Sequence, residues 1–228
     1  MSGGRINLSY GGGVNSTALL ILHENEIDEA IFANHGGDYP DTYDYVKYIE
    51  RQGFPITVIK PSVEGFDDLY DYCIYKRLIP SRMFRWCTDK FKIKPITKYV
   101  DKPSKMFIGF CLDETKRVKS EFRYRKGIIA QYPLITDGIT RKDCIQIIKN
   151  AGLKVPRKSC CYFCPFSRRL EARELLLNYP KLYQKCKLLE KNCMRDDLFI
   201  HGDVPLSDVA MEKVPSILSY LKKIEAGG

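Results

Sequence analysis

No apolar stretch among the 228 residues approaches the roughly 18–20 that a membrane-spanning helix requires, which argues against an integral membrane protein. The opening Met-Ser-Gly-Gly-Arg lacks the apolar core of a secretory signal, so a cytoplasmic location is expected. Tryptophan occurs once and histidine three times. His23, His35 and His201 are scattered, and they assemble neither an HExxH pattern nor a Ser-His-Asp arrangement. Internal repeats, low-complexity tracts and long linkers are also missing. What is present is an ordinary globular balance, 44% hydrophobic and 29% charged residues, enough for one sizeable core and a small appended subdomain.

Nine cysteines stand out. In a reducing compartment a disulfide framework is not expected, so metal binding or reactive thiols are the better reading. The net charge of +9 is unevenly spread. Residues 1–75 hold 4 basic and 12 acidic side chains, residues 76–173 hold 25 and 8, and residues 174–228 balance at 8 and 8. The excess is densest in Lys116, Arg117, Lys119, Arg123, Arg125 and Lys126, and again in Lys154, Arg157, Lys158, Arg168, Arg169 and Arg173. Such a bias fits a polyanion, because cationic side chains gain by displacing counterions from phosphates. It fits a solvated basic face equally well, or a small anion such as ATP.

Short β-type runs at 6–10, 30–33, 56–59 and 106–110 alternate with helical patterns at 16–25 and 42–52. That alternation predicts βαβ units, and so a doubly wound three-layer α/β sandwich with a mainly parallel sheet. From about residue 140 the pattern turns helical, at 140–151, 168–178, 180–192 and 215–223, with a cysteine-rich turn at 159–165. The expected division is an α/β domain at 1–139 and a small helical C-terminal subdomain at 140–228.

Between the first strand and the first helix lies Ser9-Tyr10-Gly11-Gly12-Gly13-Val14-Asn15-Ser16-Thr17. Glycines there admit positive φ and let backbone N–H groups approach an anion with no Cβ in the way. The following helix adds its positive dipole end, and the Ser16 and Thr17 hydroxyls can donate to phosphate oxygens. The loop is not a Walker A motif, since Gly-Lys-Ser/Thr is missing, nor the GxGxxG of dinucleotide folds.

This segment resembles the pyrophosphate-binding loop of the PP-loop ATP pyrophosphatases, in the branch grouped with phosphoadenosine-phosphosulfate reductases and the adenine nucleotide alpha hydrolase-like fold. Three further blocks agree, in order: His35-Gly36-Gly37-Asp38-Tyr39-Pro40-Asp41-Thr42, Arg85 to Pro95 with its Cys87-Thr88, and Gly109-Phe110-Cys111-Leu112-Asp113-Glu114-Thr115-Lys116-Arg117. The resemblance spans about residues 5–170. It implies ATP, or an adenosine phosphosulfate, bound over the carboxyl edge of the sheet. Ser9, Tyr10, Gly11, Gly12, Gly13, Asn15, Ser16 and Thr17 would line the phosphates, with His35, Gly109, Glu114 and Arg117 near the nucleotide. In most relatives ATP is cleaved to AMP and pyrophosphate while a substrate oxygen is adenylated, which makes Asn15 and Ser16 candidate catalytic residues. Asn15 stands where the family pattern has aspartate. Asp38 is the substitute candidate for Mg2+, a hard cation that prefers carboxylate and water oxygens.

Cys160-Cys161-Tyr162-Phe163-Cys164-Pro165 is the sharpest chemical signal. Cys161 and Cys164 form a CxxC, a spacing that lets one tight turn present two thiolates to a metal or cluster. The flanking Arg157, Lys158, Arg168 and Arg169 would favour thiolate. Relatives with a CxxC here also carry a cysteine at the position of Cys87, which makes it the implied third ligand, and Cys160 is the candidate fourth. A 4Fe-4S cluster, zinc and a metal-free dithiol all remain open, although zinc sites more often show two CxxC pairs. Cys73, Cys111, Cys144, Cys186 and Cys193 read as small buried hydrophobes, with Cys144 an outside candidate ligand.

Three functions compete. An ATP-dependent sulfurtransferase acting on a nucleic acid, tRNA or DNA, would use the loop, the cysteines and the basic middle region, with the sulfur donor open. A sulfonucleotide reductase would carry a Glu-Cys-Gly-x-His type motif, which residues 218–228 do not contain. A non-catalytic nucleic-acid-binding module with a structural metal would leave the glycine turn idle. No membrane partner is expected, and a homodimer is compatible with the residues.

Overall fold

The computed structural model describes residues 4–118, 127–202 and 204–211. Five strands, β1 (Ile6–Tyr10), β2 (Glu29–Ala33), β3 (Ile56–Ile59), β4 (Ser104–Ile108) and β5 (Ile128–Gln131), form one all-parallel sheet in the order β3-β2-β1-β4-β5. Leu8 sits opposite both Ala30 and Phe107, and β4 and β5 align Met106 with Ala130. The α/β expectation is borne out. A fifth strand, β5, was not read from the sequence; it is four residues long, lies at the sheet edge and leaves Ile129 exposed.

Successive strand side chains point to opposite faces, and the sequence uses both. Leu8, Tyr10, Ala30, Phe32 and Phe107 face α1 (Val14–Leu22), α2 (Pro40–Arg51) and α8 (Arg141–Asn150), packing with Leu19, Val46, Ile49 and Ile148. Ile31, Ala33, Met106, Ile108 and Ile128 face the other way, onto Ile96 and Val100 around α5 (Lys94–Tyr99). The chain runs β1, β2, β3 outward on one side and returns to place β4 on the other side of β1. That reversal opens a crevice at the carboxyl ends of β1 and β4, the usual ligand position in such sheets.

The connections carry the chemistry. After β3 comes α3 (Leu69–Lys76); the 86–99 segment runs as α4 (Trp86–Thr88), a wide π-helical turn (Asp89–Ile93) and α5. A 3-10 turn (Leu112–Glu114) leads into α6 (Thr115–Val118), and α7 (Pro133–Thr136) precedes α8. Helix α8 is fixed by a reciprocal cap, with Asp143 N donating to Thr140 Oγ1 and Thr140 N to Asp143 Oδ2.

The chain divides into two compact units, one of residues 1–72 and 84–161 and the other of residues 73–83 and 162–228. The division expected at 139/140 therefore falls elsewhere: α8 packs on α1 and belongs with the sheet. In the second unit α9 (Arg169–Asn178), α10 (Pro180–Asn192) and α11 (Leu206–Met211) enclose Leu175, Tyr183, Cys186, Leu189 and Val209. Glu190 ties the unit together, accepting from Ile200 N and Leu206 N. The helix expected at 215–223, and Lys119, Arg123, Arg125 and Lys126 of the first basic run, lie outside the described residues.

His201 supplies a pH handle on this unit. Burial, with Arg82 and Arg169 nearby, lowers its pKa below the ordinary 6.5. The unfolded chain then takes up a proton that the folded chain resists, so stability falls as pH drops below about 6.5. Thermal melts at pH 7 and pH 5 are expected to show a smaller acid-induced loss for His201→Asn than for the unaltered protein.

Candidate nucleotide site

The glycine loop is built by close approach of backbone to backbone. Gly12 has φ +65°, and Gly13 caps α1. The Gly11 and Gly13 N–H groups both donate to Ser16 Oγ, at 3.2 and 3.3 Å, so a hydroxyl oxygen occupies the point where these two amides converge. Across the crevice, a Cβ on Gly109 would sit 2.9 Å from Ser16 N, and one on Gly13 would sit 2.7 Å from Ser159 Oγ. The first turn of α1 is thus held between the end of β4 and the Ser159 segment, with its N–H groups aimed at the crevice.

The other loop side chains brace it from below. Thr17, fully buried, donates to Gly13 O at 2.9 Å, and Tyr10 OH lies 3.1 Å from Thr17 Oγ1. Burial raises the Tyr10 phenol well above its ordinary pKa, so it stays protonated. Both were expected beside the phosphates; they are turned toward the core and support the loop backbone.

Asn15 is 7% exposed and is held at both ends of its amide. Its Nδ2 donates to Glu114 Oε2 at 2.8 Å, and its Oδ1 accepts from Arg141 Nη1 at 3.1 Å. Glu114 also accepts from Arg117, whose guanidinium lies 4.2 Å over the Phe110 ring. An aspartate at 15 could accept from Arg141 but would meet the Glu114 carboxylate with like charge. The neutral amide is therefore matched to Glu114. Arg141 was missed in the sequence; its position directly after the Thr140 cap was the signal available.

A second, buried polar cluster follows β2. His35 is fully buried and Asp38 is 3% exposed. Asp38 forms an isolated antiparallel bridge with Cys161. His35 Nε2 stands 3.3 Å from Asp38 Oδ2 and 3.9 Å from Cys161 Sγ, and the three ligand-type atoms lie within 4.8 Å of one another. Gly37 N donates to His35 Nδ1 at 3.1 Å, which places the imidazole proton on Nε2. Lys92, delivered by the π-helical turn, brings Nζ to 3.8 Å from Asp38 Oδ2. Burial alone would raise the Asp38 pKa, but Lys92 and His35 outweigh it and hold the carboxyl well below the ordinary range. Neither Asp38 oxygen meets a well-aligned hydrogen bond, although His35 and Cys161 stand beside them. Lys92 lies in the 85–95 block, three residues before Pro95.

The expected ligand cysteines fall in both compact units. Cys161 turns its sulfur toward His35. Cys87 sits in α4, where burial pushes its thiol pKa up. Cys160 is half-buried beside Cys161, while Cys164 begins in the second unit. Cys73, Cys111, Cys144, Cys186 and Cys193 are all buried, as expected of apolar packing residues, and burial raises Cys144 to about 12.

A doubly wound parallel sheet with a glycine turn and a helix N-terminus at its reversal point is the arrangement of nucleotide-binding α/β domains. Residues 5–155 match the phosphoadenosine phosphosulfate reductase domain family, and the chain belongs to it. Among curated relatives, the uncharacterized protein MJ0973 of Methanocaldococcus jannaschii is 26% identical over 198 residues, covering 79% of this chain and 46% of that protein. The uncharacterized protein MJ0066 of the same organism is 21% identical over 198 residues, covering 79% of this chain and 40% of that protein. The chain thus spans under half the length of the curated relatives it matches. The family implies adenine-nucleotide binding. No described helix is long and apolar enough to cross a membrane.

Two substitutions test this geometry. Gly109→Ala is expected to lower the urea unfolding free energy by about 1–3 kcal/mol, because the clash is with backbone. Asn15→Asp is expected to destabilise by about 1 kcal/mol at pH 7, because two carboxylates would then face each other; denaturant melts of the two proteins check both size and sign.

Proposed function

We propose that the protein is an ATP-using adenylating enzyme that thiolates a nucleic-acid base, as in tRNA. The observation that carries the reading is the paired Gly11 and Gly13 amides at the N-terminus of α1. This arrangement suits the phosphate chain of an adenylate, with Ser16 Oγ as the exchangeable oxygen. A base carbonyl oxygen attacks the α-phosphorus, the α–β bond breaks and pyrophosphate leaves. A hydrosulfide-level sulfur then adds at the activated carbon and AMP departs with the oxygen, so C=O becomes C=S with no net redox change. Asn15, Glu114, Arg117 and Arg141 orient the loop's first helical turn through their shared hydrogen bonds. Lys154, Arg157 and Lys158, close in sequence to Ser159, support a polyanionic acceptor by charge.

The donor set at Asp38 does not fit Mg2+, which takes oxygens and waters, since Asp38 is surrounded by an imidazole, a thiol and an ammonium. Among the described residues, the metal-type donors that come together are His35, Asp38 and Cys161, a mixed nitrogen, oxygen and sulfur set and not the thiolates of a 4Fe-4S cluster. No step is assigned to either group. A second reading, reduction of a phosphoadenosine phosphosulfate-like substrate, is favoured by the family match itself and uses the same loop.

The test incubates the full chain with ATP, sulfide and bulk tRNA, and follows pyrophosphate and thiolated nucleosides. Both are expected to appear together, and Gly13→Val is expected to cut pyrophosphate release by about 100-fold. Sulfite release from phosphoadenosine phosphosulfate, without pyrophosphate from ATP, would install the second reading. No turnover of either nucleotide overturns both.

A further inference from the structure

We propose that His35, Asp38 and Cys161 form a mononuclear site for a borderline-soft divalent cation, with zinc as the metal. The three donors are an imidazole nitrogen, a carboxylate oxygen and a sulfur, the mixture that zinc accepts and magnesium does not. Their spacing is close to what one ion imposes. With zinc bonds of about 2.0–2.3 Å, tetrahedral geometry sets neighbouring donors about 3.3–3.6 Å apart. The observed separations are 3.3 Å for nitrogen to oxygen and 3.9 Å for nitrogen to sulfur.

An independent observation points to a ligand. Asp38 is almost wholly buried, yet neither oxygen meets a well-aligned hydrogen bond; His35 Nε2 at 3.3 Å and the Lys92 ammonium at 3.8 Å are its charged neighbours. A buried carboxylate in that state is costly, and a cation is its natural partner. With Asp38 and a Cys161 thiolate the bound ion would be charge-neutral. Three protein donors leave the fourth tetrahedral position open, the pattern of zinc sites that hold a water or an exchangeable ligand.

Two local features would adjust on binding. Lys92 now supplies the positive charge beside Asp38; its side chain is about one-third exposed and can swing to solvent. His35 must bind through Nε2, which moves its proton to Nδ1, where the Gly37 N–H now points. The peptide between Gly36 and Gly37 joins two residues without a Cβ, so it can turn over and offer a carbonyl. A carbonyl accepting the Nδ1 proton is a common second partner of a metal-bound histidine.

The test uses the full chain, purified with chelator and titrated with zinc, and with cobalt as a spectroscopic probe. About one ion per chain is expected, with a cobalt spectrum showing a single thiolate ligand. Asp38→Asn and Cys161→Ser are expected to weaken zinc binding at least about 100-fold. Lys92→Met, which removes the competing cation, is expected to tighten it, and this variant leaves the buried donors intact. Cys87→Ser and Cys164→Ser are expected to change nothing in stoichiometry or affinity. Iron and sulfide in the anaerobically purified protein, lost in Cys87→Ser or Cys164→Ser, would overturn the proposal in favour of a cysteine cluster. Zinc binding unaffected by Asp38→Asn and Lys92→Met would overturn it as well.

Discussion

The site depends on one steric constraint: at the reversal point of the sheet two backbones meet with no Cβ between them. Gly109 leaves β4 against the first turn of α1, close enough that a single methyl would strike Ser16 N. This contact fixes the helix end relative to two neighbouring parallel strands. Residues Val14 to Leu20 are all buried, so the helix cannot tilt to relieve strain without exposing apolar surface. An anion-facing helix end is useful only if it is held still, and the packing beneath it does that.

Charge is arranged around this frame by compensation. The amide at Asn15 donates to one acid and accepts from one base, so a buried junction carries no net charge of its own. Glu114, in turn, meets Arg117 as well as the amide. Behind β2 the same logic operates with less symmetry: Asp38 keeps its charge because Lys92 and His35 stand near it, although no well-aligned hydrogen bond reaches its oxygens. The first arrangement is complete in its polar pairing and the second is not, which separates a structural junction from an open ligand position.

The nucleotide loop was legible in the sequence because its chemistry is local: three glycines and a serine between a strand and a helix dictate the turn. The strands were legible too, since Leu8, Ile31 and Met106 follow the simple alternation of a sheet covered on both faces. Less visible were features set by long-range contact. Nothing near residue 161 announces that its sulfur will meet His35, because the bridge joins segments more than a hundred residues apart. Nor did the 85–95 block reveal its π-helical turn, whose wider period breaks the ordinary helical repeat and aims Lys92 at Asp38. Tyr10 and Thr17 carried the right chemistry for phosphate contact, but strand alternation and helix phase turned them inward.

The short segment Cys73–Met83 belongs to the second compact unit although its neighbours in sequence on both sides belong to the first. A chain interleaved in this way cannot be cut once to release either half intact. During synthesis, this early piece must wait for helices made much later before it finds its place. Gene fusion or shuffling at a single junction would orphan it, so the two units are inherited as one.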